Sequence, residues 1–220
     1  MRTLILTSDG LSPEIAKELF GLLGKKPEET KLCFIANAKD EDPDQSRANA
    51  YVLRERAAFE RVGIQQVVEV DLRVKEDLVK LDDCDVVYVG GGNTFYLLKL
   101  MRDSGFDKKI KEVLSNDKMY VGVSAGSIVM GTSIETAGVG PSADANDVKL
   151  EDPRGLRHVP FMIAPHLTAS EKIYYDQFAR IRQLRPIVGI EDGMAIICEG
   201  DRYRIVGPGK VQTWHSKLFR

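Results

Sequence analysis

The residues best suited to chemistry are Gly122-Val123-Ser124-Ala125-Gly126, inside MYVGVSAGSIVMG, residues 119–131. An apolar run ends at Val123, and a helical pattern begins immediately afterwards. This order predicts a nucleophile elbow, in which a serine sits on a sharp strand-to-helix turn. Small residues two positions away on either side let strand and helix approach. The hydroxyl of Ser124 would then project at the C-terminal edge of a sheet, and the Ala125 N–H would be placed to donate to an oxyanion. A tight turn with a capping serine is the inert alternative. Ser127 lies further into the helix and is expected to support packing or a backbone bond.

A second apolar run, Asp85–Val89, enters Gly90-Gly91-Gly92-Asn93-Thr94. Three glycines let the backbone approach a ligand, and their N–H groups can face an anion. Gly91 and Gly92 are therefore oxyanion or substrate-binding candidates, and Asn93 and Thr94 could hold a substrate terminus. A phosphate loop or a purely structural turn are the rivals; the Lys-Ser/Thr of a P-loop and the dinucleotide fingerprint spacing are missing. A serine nucleophile needs a base. His166 follows the apolar run Phe161–Ala164 and so falls, like Ser124, at a strand's C-terminal edge. His158 stands among charged residues and reads as a solvated surface group. His215 follows Trp214 and reads as a cap on the last strand. The acid that would orient His166 is ambiguous: Glu135, Asp144, Asp147 and Glu191 are all candidates, with Glu135 and Glu191 carried forward.

The elements that must position these residues alternate between strand and helix. Strands are expected at Thr3–Leu6, Leu32–Ile35, Gln66–Val70, Asp85–Val89 and Met119–Val123. Helices are expected at Pro13–Leu23, Arg47–Val62, Val74–Leu81, Asn93–Met101, Phe106–Leu114 and from Ser124. In Arg47–Val62, Ala50, Leu53, Ala57 and Ala58 mark the helical period. The βα alternation predicts a doubly wound, mostly parallel α/β sheet. Residues 138–157, rich in Gly, Pro, Asp and Asn, are expected to form a loop or hairpin that closes over the site. Tyr174–Arg185 reads as a helix. The strand-like runs at 187–190, 195–198, 203–206 and 210–214 read as antiparallel decoration on the sheet edge. The whole chain, 1–220, reads as a single α/β hydrolytic domain.

A formal net charge of −2 gives no electrostatic case for nucleic acid or an anionic membrane. No apolar stretch approaches the roughly 18 residues of a membrane span, and the apolar start is too short for a secretory leader, so the expected compartment is the cytoplasm. The three cysteines, Cys33, Cys84 and Cys198, read as free core residues with no metal or disulfide pattern. Neither a metal nor a cofactor is expected.

Taken together, Val89-Gly-Gly-Gly-Asn-Thr-Phe95, Gly122-Val-Ser-Ala-Gly-Ser127, Ile163-Ala-Pro-His-Leu167 and Gly189-Ile-Glu-Asp-Gly193 resemble the peptidase E (aspartyl dipeptidase) family, in order and approximate spacing. The resemblance implies a flavodoxin-like fold similar to class I glutamine amidotransferases, with serine in place of the cysteine nucleophile. It implies Ser124 as nucleophile, His166 as base, and Gly91 with Ala125 as oxyanion donors. It also implies a short peptide substrate with an N-terminal Asp, no metal, and a homodimer. The family's Asp after the nucleophile helix falls here at Gly138-Val139-Gly140, and no Arg pair follows His166 directly. Arg180, Arg182 and Arg185 come later and fit a solvated helix face equally well. A related serine amidase or cyanophycinase-like hydrolase is the nearest alternative, although Ala164 stands where the latter would carry Asp. An amidotransferase-like or deglycase-type enzyme would need Cys at the elbow. An inactive binding protein of the same fold is the remaining alternative.

Overall fold

A computed structural model describes residues 2–181 and 186–215. In chain order the main elements are β1 (Thr3–Thr7), α1 (Pro13–Leu23), β2 (Lys31–Ile35), α2 (Gln45–Arg61), β3 (Gln66–Glu69), β4 (Val86–Val89), α3 (Thr94–Ser104), α4 (Phe106–Ser115), β5 (Met119–Val123), α5 (Ala125–Ile128), β6 (Met162–Ala164), α6 (Lys172–Ile181), β7 (Ile187–Gly189), β8 (Ala195–Glu199), β9 (Arg202–Val206) and β10 (Gln212–Trp214). The expected helix at Val74–Leu81 is a 3-10 segment, Lys75–Asp83. Arg182 and Arg185 lie outside the described residues.

The larger sheet has the order β3-β2-β4-β5-β1-β8-β9. Its first five strands are parallel, and β8 and β9 complete it antiparallel. The α/β reading therefore holds, with helices packed against a mostly parallel sheet. Strands β4 and β5 are buried along their whole length, which is why they read as unbroken apolar runs. Helix α1 starts as its sequence dictates: Ser12 Oγ accepts from Ile15 N–H at 3.2 Å, Pro13 follows, and Gly24 closes the helix in the left-handed region.

The C-terminal third corrects the sequence reading in one respect. Only β8 and β9 decorate the main sheet. Strands β7 and β10 join β6 in a separate three-stranded sheet, in which β6 and β7 are parallel and β10 is antiparallel to β7. One buried apolar cluster nevertheless runs across both sheets, from Leu4 and Val87 to Ile163 and Val188.

Helix α2 packs on a different face from the one its aliphatic residues suggest. Leu53 is 67% exposed, whereas Ala48, Glu55 and Phe59 are buried. Phe59 packs edge-on against Phe34 of β2 and Tyr88 of β4, with ring centroids 5.3 and 4.8 Å away. The Tyr88 hydroxyl donates to Glu55 Oε2. Burial raises the pKa of the Glu55 carboxyl. This contact fixes the height of α2 over the sheet.

Two further sequence expectations are overturned. Cys33 and Cys84 form a disulfide with their Cα atoms 5.8 Å apart, because β2 and β4 are neighbours; only Cys198 is free. A separation of 51 residues hides that proximity in the sequence. His158 is buried, 6% exposed, not a solvated surface group. Among the described residues, no helix is long and apolar enough to cross a membrane.

Burial, together with the charges of Arg2 and Lys111, lowers the His158 pKa from 6.5 to about 4. Between those values the unfolded chain takes up a proton that the folded chain refuses, so stability falls as pH drops through that window. We expect urea midpoints taken above and inside the window to fall with acid in the wild type. His158→Gln should flatten that slope, by on the order of 2 kcal/mol across the window. Parallel slopes in the two proteins would contradict the assignment.

Candidate active site

Ser124 leaves β5 with φ 49° and ψ −108°, a backbone state that an L-residue holds only under constraint. The constraint is the contact of α5 with β5 and with the end of β4. A Cβ on Gly122 would sit 2.5 Å from Gly126 O, and one on Gly126 would sit 2.2 Å from Val89 O. Only glycine fits either place. Backbone and side-chain bonds then hold the turn. Ser124 N–H donates to Thr7 O at 3.1 Å, and Ser127 Oγ lies 2.8 Å from both Thr7 O and Gly122 O. Tyr120 Oη donates to Gly126 O at 2.7 Å. Ser127 thus supports the turn, as its position in the sequence suggests.

His166 arrives from the smaller sheet. Residues Ala164 and Gly189 are partners in the β6–β7 register, so the chain segments leaving these strands run side by side. Leu167 N–H donates to Ile190 O, and Ile190 N–H donates to Ala164 O, each at 3.0 Å. His166 and Asp192 are thereby neighbours, with His166 Nδ1 2.6 Å from Asp192 Oδ1. Ser8, just past β1, joins the two sheets: its Oγ accepts from His166 N–H at 2.7 Å and donates to Asp192 Oδ1 at 2.8 Å. Gly193 N–H adds a bond to Asp9 Oδ1 at 2.8 Å. The His166 and Asp192 side chains are 46% and 60% exposed, so water reaches the pair.

The acid beside His166 is therefore Asp192, where the sequence offered Glu135 or Glu191. Glu135 accepts from Ser133 Oγ at 2.9 Å. Glu191 lies beside Gly209, where a Cβ would be 2.7 Å from Glu191 Oε2. Asp147 is exposed. Asp144 is held by the N-terminus of α3, where its Oδ2 accepts from Thr94 N–H at 2.9 Å and from Thr94 Oγ1 at 2.6 Å. Burial raises the Asp144 pKa. Thr94 is buried and committed to that bond. Asn93 caps α3 by accepting from Tyr96 N–H at 3.0 Å, and it donates to Ala145 O at 2.7 Å. The segment from 138 to 157 is thus fastened to the start of α3.

Ser124, His166, Asp192, Ser8, Gly91 and Gly92 line a cavity of about 570 Å³ at the C-terminal edge of the parallel strands. Lys39, Arg47, Tyr51, Arg54 and Asp9 also line it. An adjoining cavity of about 300 Å³ is shared by Ser124, Gly92, Asn93 and Asp144. No hydrogen bond joins Ser124 Oγ to His166 among the described residues; the two face the same space. The Gly91 N–H is not free either, since it donates to Tyr51 Oη at 2.7 Å. Ala125 N–H opens α5 with no acceptor among the described residues. Sequence reading missed Ser8, Tyr51, Lys39, Arg47, Arg54 and Asp192. Asp192 was one residue from a named candidate; the others stand in segments without a motif.

Fold and site define an α/β protein with a serine elbow, and with a histidine–aspartate pair facing the same cavity. The family model of peptidase family S51 matches residues 4–206, and the chain belongs to that family. It is similar to peptidase E of Shewanella denitrificans, 32% identical over 149 residues, which is 61% of this chain and 59% of that protein. It is likewise 33% identical over 141 residues to peptidase E of Shewanella sp. strain ANA-3, 58% of this chain and 56% of the other. The matched part thus spans less than two thirds of these relatives. A Listeria monocytogenes EGD-e protein assigned to peptidase E superposes with a TM-score of 0.77 at 25% identity, over 95% of this chain and all of that one. A peptidase from an acI-B1 actinobacterium gives a TM-score of 0.72 at 20% identity over 96% and 90% of the two chains, a likeness of fold.

If Asp192 orients His166, Asp192→Asn should slow modification of Ser124 by a fluorophosphonate at least about 10²-fold, since the wrong tautomer disables the base. Glu135→Gln and Glu191→Gln should react at near the wild-type rate. A normal rate in Asp192→Asn, or an equal loss in Glu191→Gln, would reassign the acid.

Proposed function

We propose that this chain is a serine peptidase that hydrolyses short peptides, as a dipeptidase or exopeptidase. The observation that carries the reading is the strained Ser124 elbow facing the same cavity as a histidine already bonded to a carboxylate. Membership of peptidase family S51 supports it. In this reading the Asp192 carboxylate holds the His166 Nδ1–H, which leaves Nε2 as the base. Ser124 Oγ attacks the peptide carbonyl as Nε2 takes its proton, and the C–N bond breaks as that proton passes to the leaving amine. A water, deprotonated by the same nitrogen, then releases the acyl group and restores the serine.

The cavity suits a small substrate. Its ends differ in charge. Lys39, Arg47 and Arg54 lie on the α2 side, which favours an acidic side chain such as an N-terminal Asp. Arg47 is bidentate to Asp42, at 3.1 and 2.7 Å, whereas Lys39 and Arg54 make only longer ion pairs of 3.5 Å, to Asp42 and Glu55, so these two are the better candidates to hold it. Asp144, in the adjoining cavity that Ser124 also lines, is the candidate to hold the substrate's free ammonium. In this reading these groups take the roles that the sequence left to Arg180, Arg182 and Arg185 and to Asn93 and Thr94.

The test is hydrolysis of Asp-Leu and a matched set of Xaa-Leu dipeptides by wild type and Ser124→Ala. Selective cleavage of Asp-Leu, lost in the variant, is the expected result. Cleavage of neutral dipeptides instead would remove the acidic specificity, and equal turnover by Ser124→Ala would remove the mechanism. Because the Asp144 pKa is raised, KM should climb on acidification at a higher pH than an ordinary carboxyl would give. Asp144→Asn should raise KM and abolish that dependence.

A further inference from the structure

An acyl-transfer oxyanion needs donors converging on one point. Ala125 N–H is available for this. The Gly91 N–H, the expected partner, is occupied by Tyr51 Oη at 2.7 Å. The phenol that occupies it carries a proton of its own, for which no acceptor stands among the described residues. Tyr51 lines the cavity that holds Ser124 and His166. A Cβ on Gly91 would lie 3.2 Å from Ser124 Cβ and 3.5 Å from Tyr51 Oη, so the hydroxyl and the nucleophile abut the same residue.

The surroundings suit a hydrogen-bond donor to developing negative charge. Lys39 Nζ and Arg54 Cζ each stand 5.1 Å from the Tyr51 ring centroid. Burial, with the charge of Glu55, raises the Tyr51 pKa, so the phenol keeps its proton at neutral pH. A bond received from Gly91 N–H polarises the O–H and strengthens it as a donor. The position is fixed from below, because Glu55, one turn further along α2, is tied to Tyr88 of β4.

We propose that Tyr51 is a catalytic residue of this site, whose phenol O–H donates to the oxyanion alongside Ala125 N–H, with Gly91 N–H acting behind it through Tyr51 Oη. The proposal rests on the reading of Ser124 as the nucleophile. During attack the carbonyl π electrons move onto oxygen, the Tyr51 and Ala125 protons bond to that oxygen without transfer, and both bonds relax as the carbonyl reforms. No group other than the substrate gains or loses charge at Tyr51.

Tyr51→Phe removes the O–H and keeps the ring beside its two cations. The readouts are the rate constant for phosphonylation of Ser124 by a fluorophosphonate, and kcat and KM on a dipeptide that the wild type cleaves. Both the phosphonylation rate and kcat should fall about 10²–10³-fold, with KM and the thermal midpoint close to wild type. An unchanged rate overturns the proposal. So does a faster one, which would make Tyr51 a plug over Gly91 N–H. A second variant guards against a folding defect: 3-fluorotyrosine at position 51 keeps the phenol O–H, and it should hold the phosphonylation rate and kcat close to wild type where Tyr51→Phe loses them. A loss in 3-fluorotyrosine equal to that in Tyr51→Phe also overturns the proposal. If the wild type is not phosphonylated at Ser124, the nucleophile reading fails and takes this inference with it. If it is, and Tyr51→Phe reacts as fast, this inference alone fails.

Discussion

The close approach of α5 to β5 and to the end of β4 governs this structure. With no side chain at Gly126, α5 meets Val89 of β4 at a distance that any Cβ would forbid, and with none at Gly122, β5 and α5 meet as closely. The chain between them has one way to turn, and Ser124 takes up the positive φ which that turn requires. Such a conformation costs on the order of 1–3 kcal/mol and persists only where the surroundings fix it. Here the fixing comes from Thr7 at the end of β1 and from Ser127 and Tyr120 on either side of the turn. The strain is thus offset by bonds to the neighbouring strand, and it presents the Ser124 hydroxyl to the cavity.

The second constraint is the joining of two sheets. Ser124 stands on the larger sheet and His166 just past a strand of the smaller one, so their geometry depends on what holds the sheets in register. Ser8 does this with a single oxygen, bonded at once to the His166 backbone and the Asp192 side chain. Ser8 follows β1, the strand beside β5, so the bonds that fix the elbow and those that fix His166 both reach the end of one strand. A shift of β1 would disturb Ser124 and His166 together.

Most of the frame was legible in the sequence because its signals are local. Pro13 after Ser12, Gly24, the unbroken apolar runs of β4 and β5, and the glycines around Ser124 each state a backbone requirement within a few residues. The misreadings arose where the controlling contact is distant. Asp192 was hidden because β7 read as an edge strand of the main sheet; once it pairs in parallel with β6, the residues after Gly189 must lie beside those after Ala164. Tyr51 and Glu55 were hidden because a buried carboxyl breaks the apolar period of α2, and Leu53 points outward. The Cys33–Cys84 pair depends on β2 and β4 being neighbours, which no spacing rule gives.

The central claim is that one serine, placed by strain, is the nucleophile. The most direct test is to react the protein with a fluorophosphonate to completion and map the modified peptide by mass spectrometry. A single adduct on Ser124, absent from Ser124→Ala, is the predicted result. An adduct on Ser127 or another residue, or no adduct on the folded protein, would contradict it.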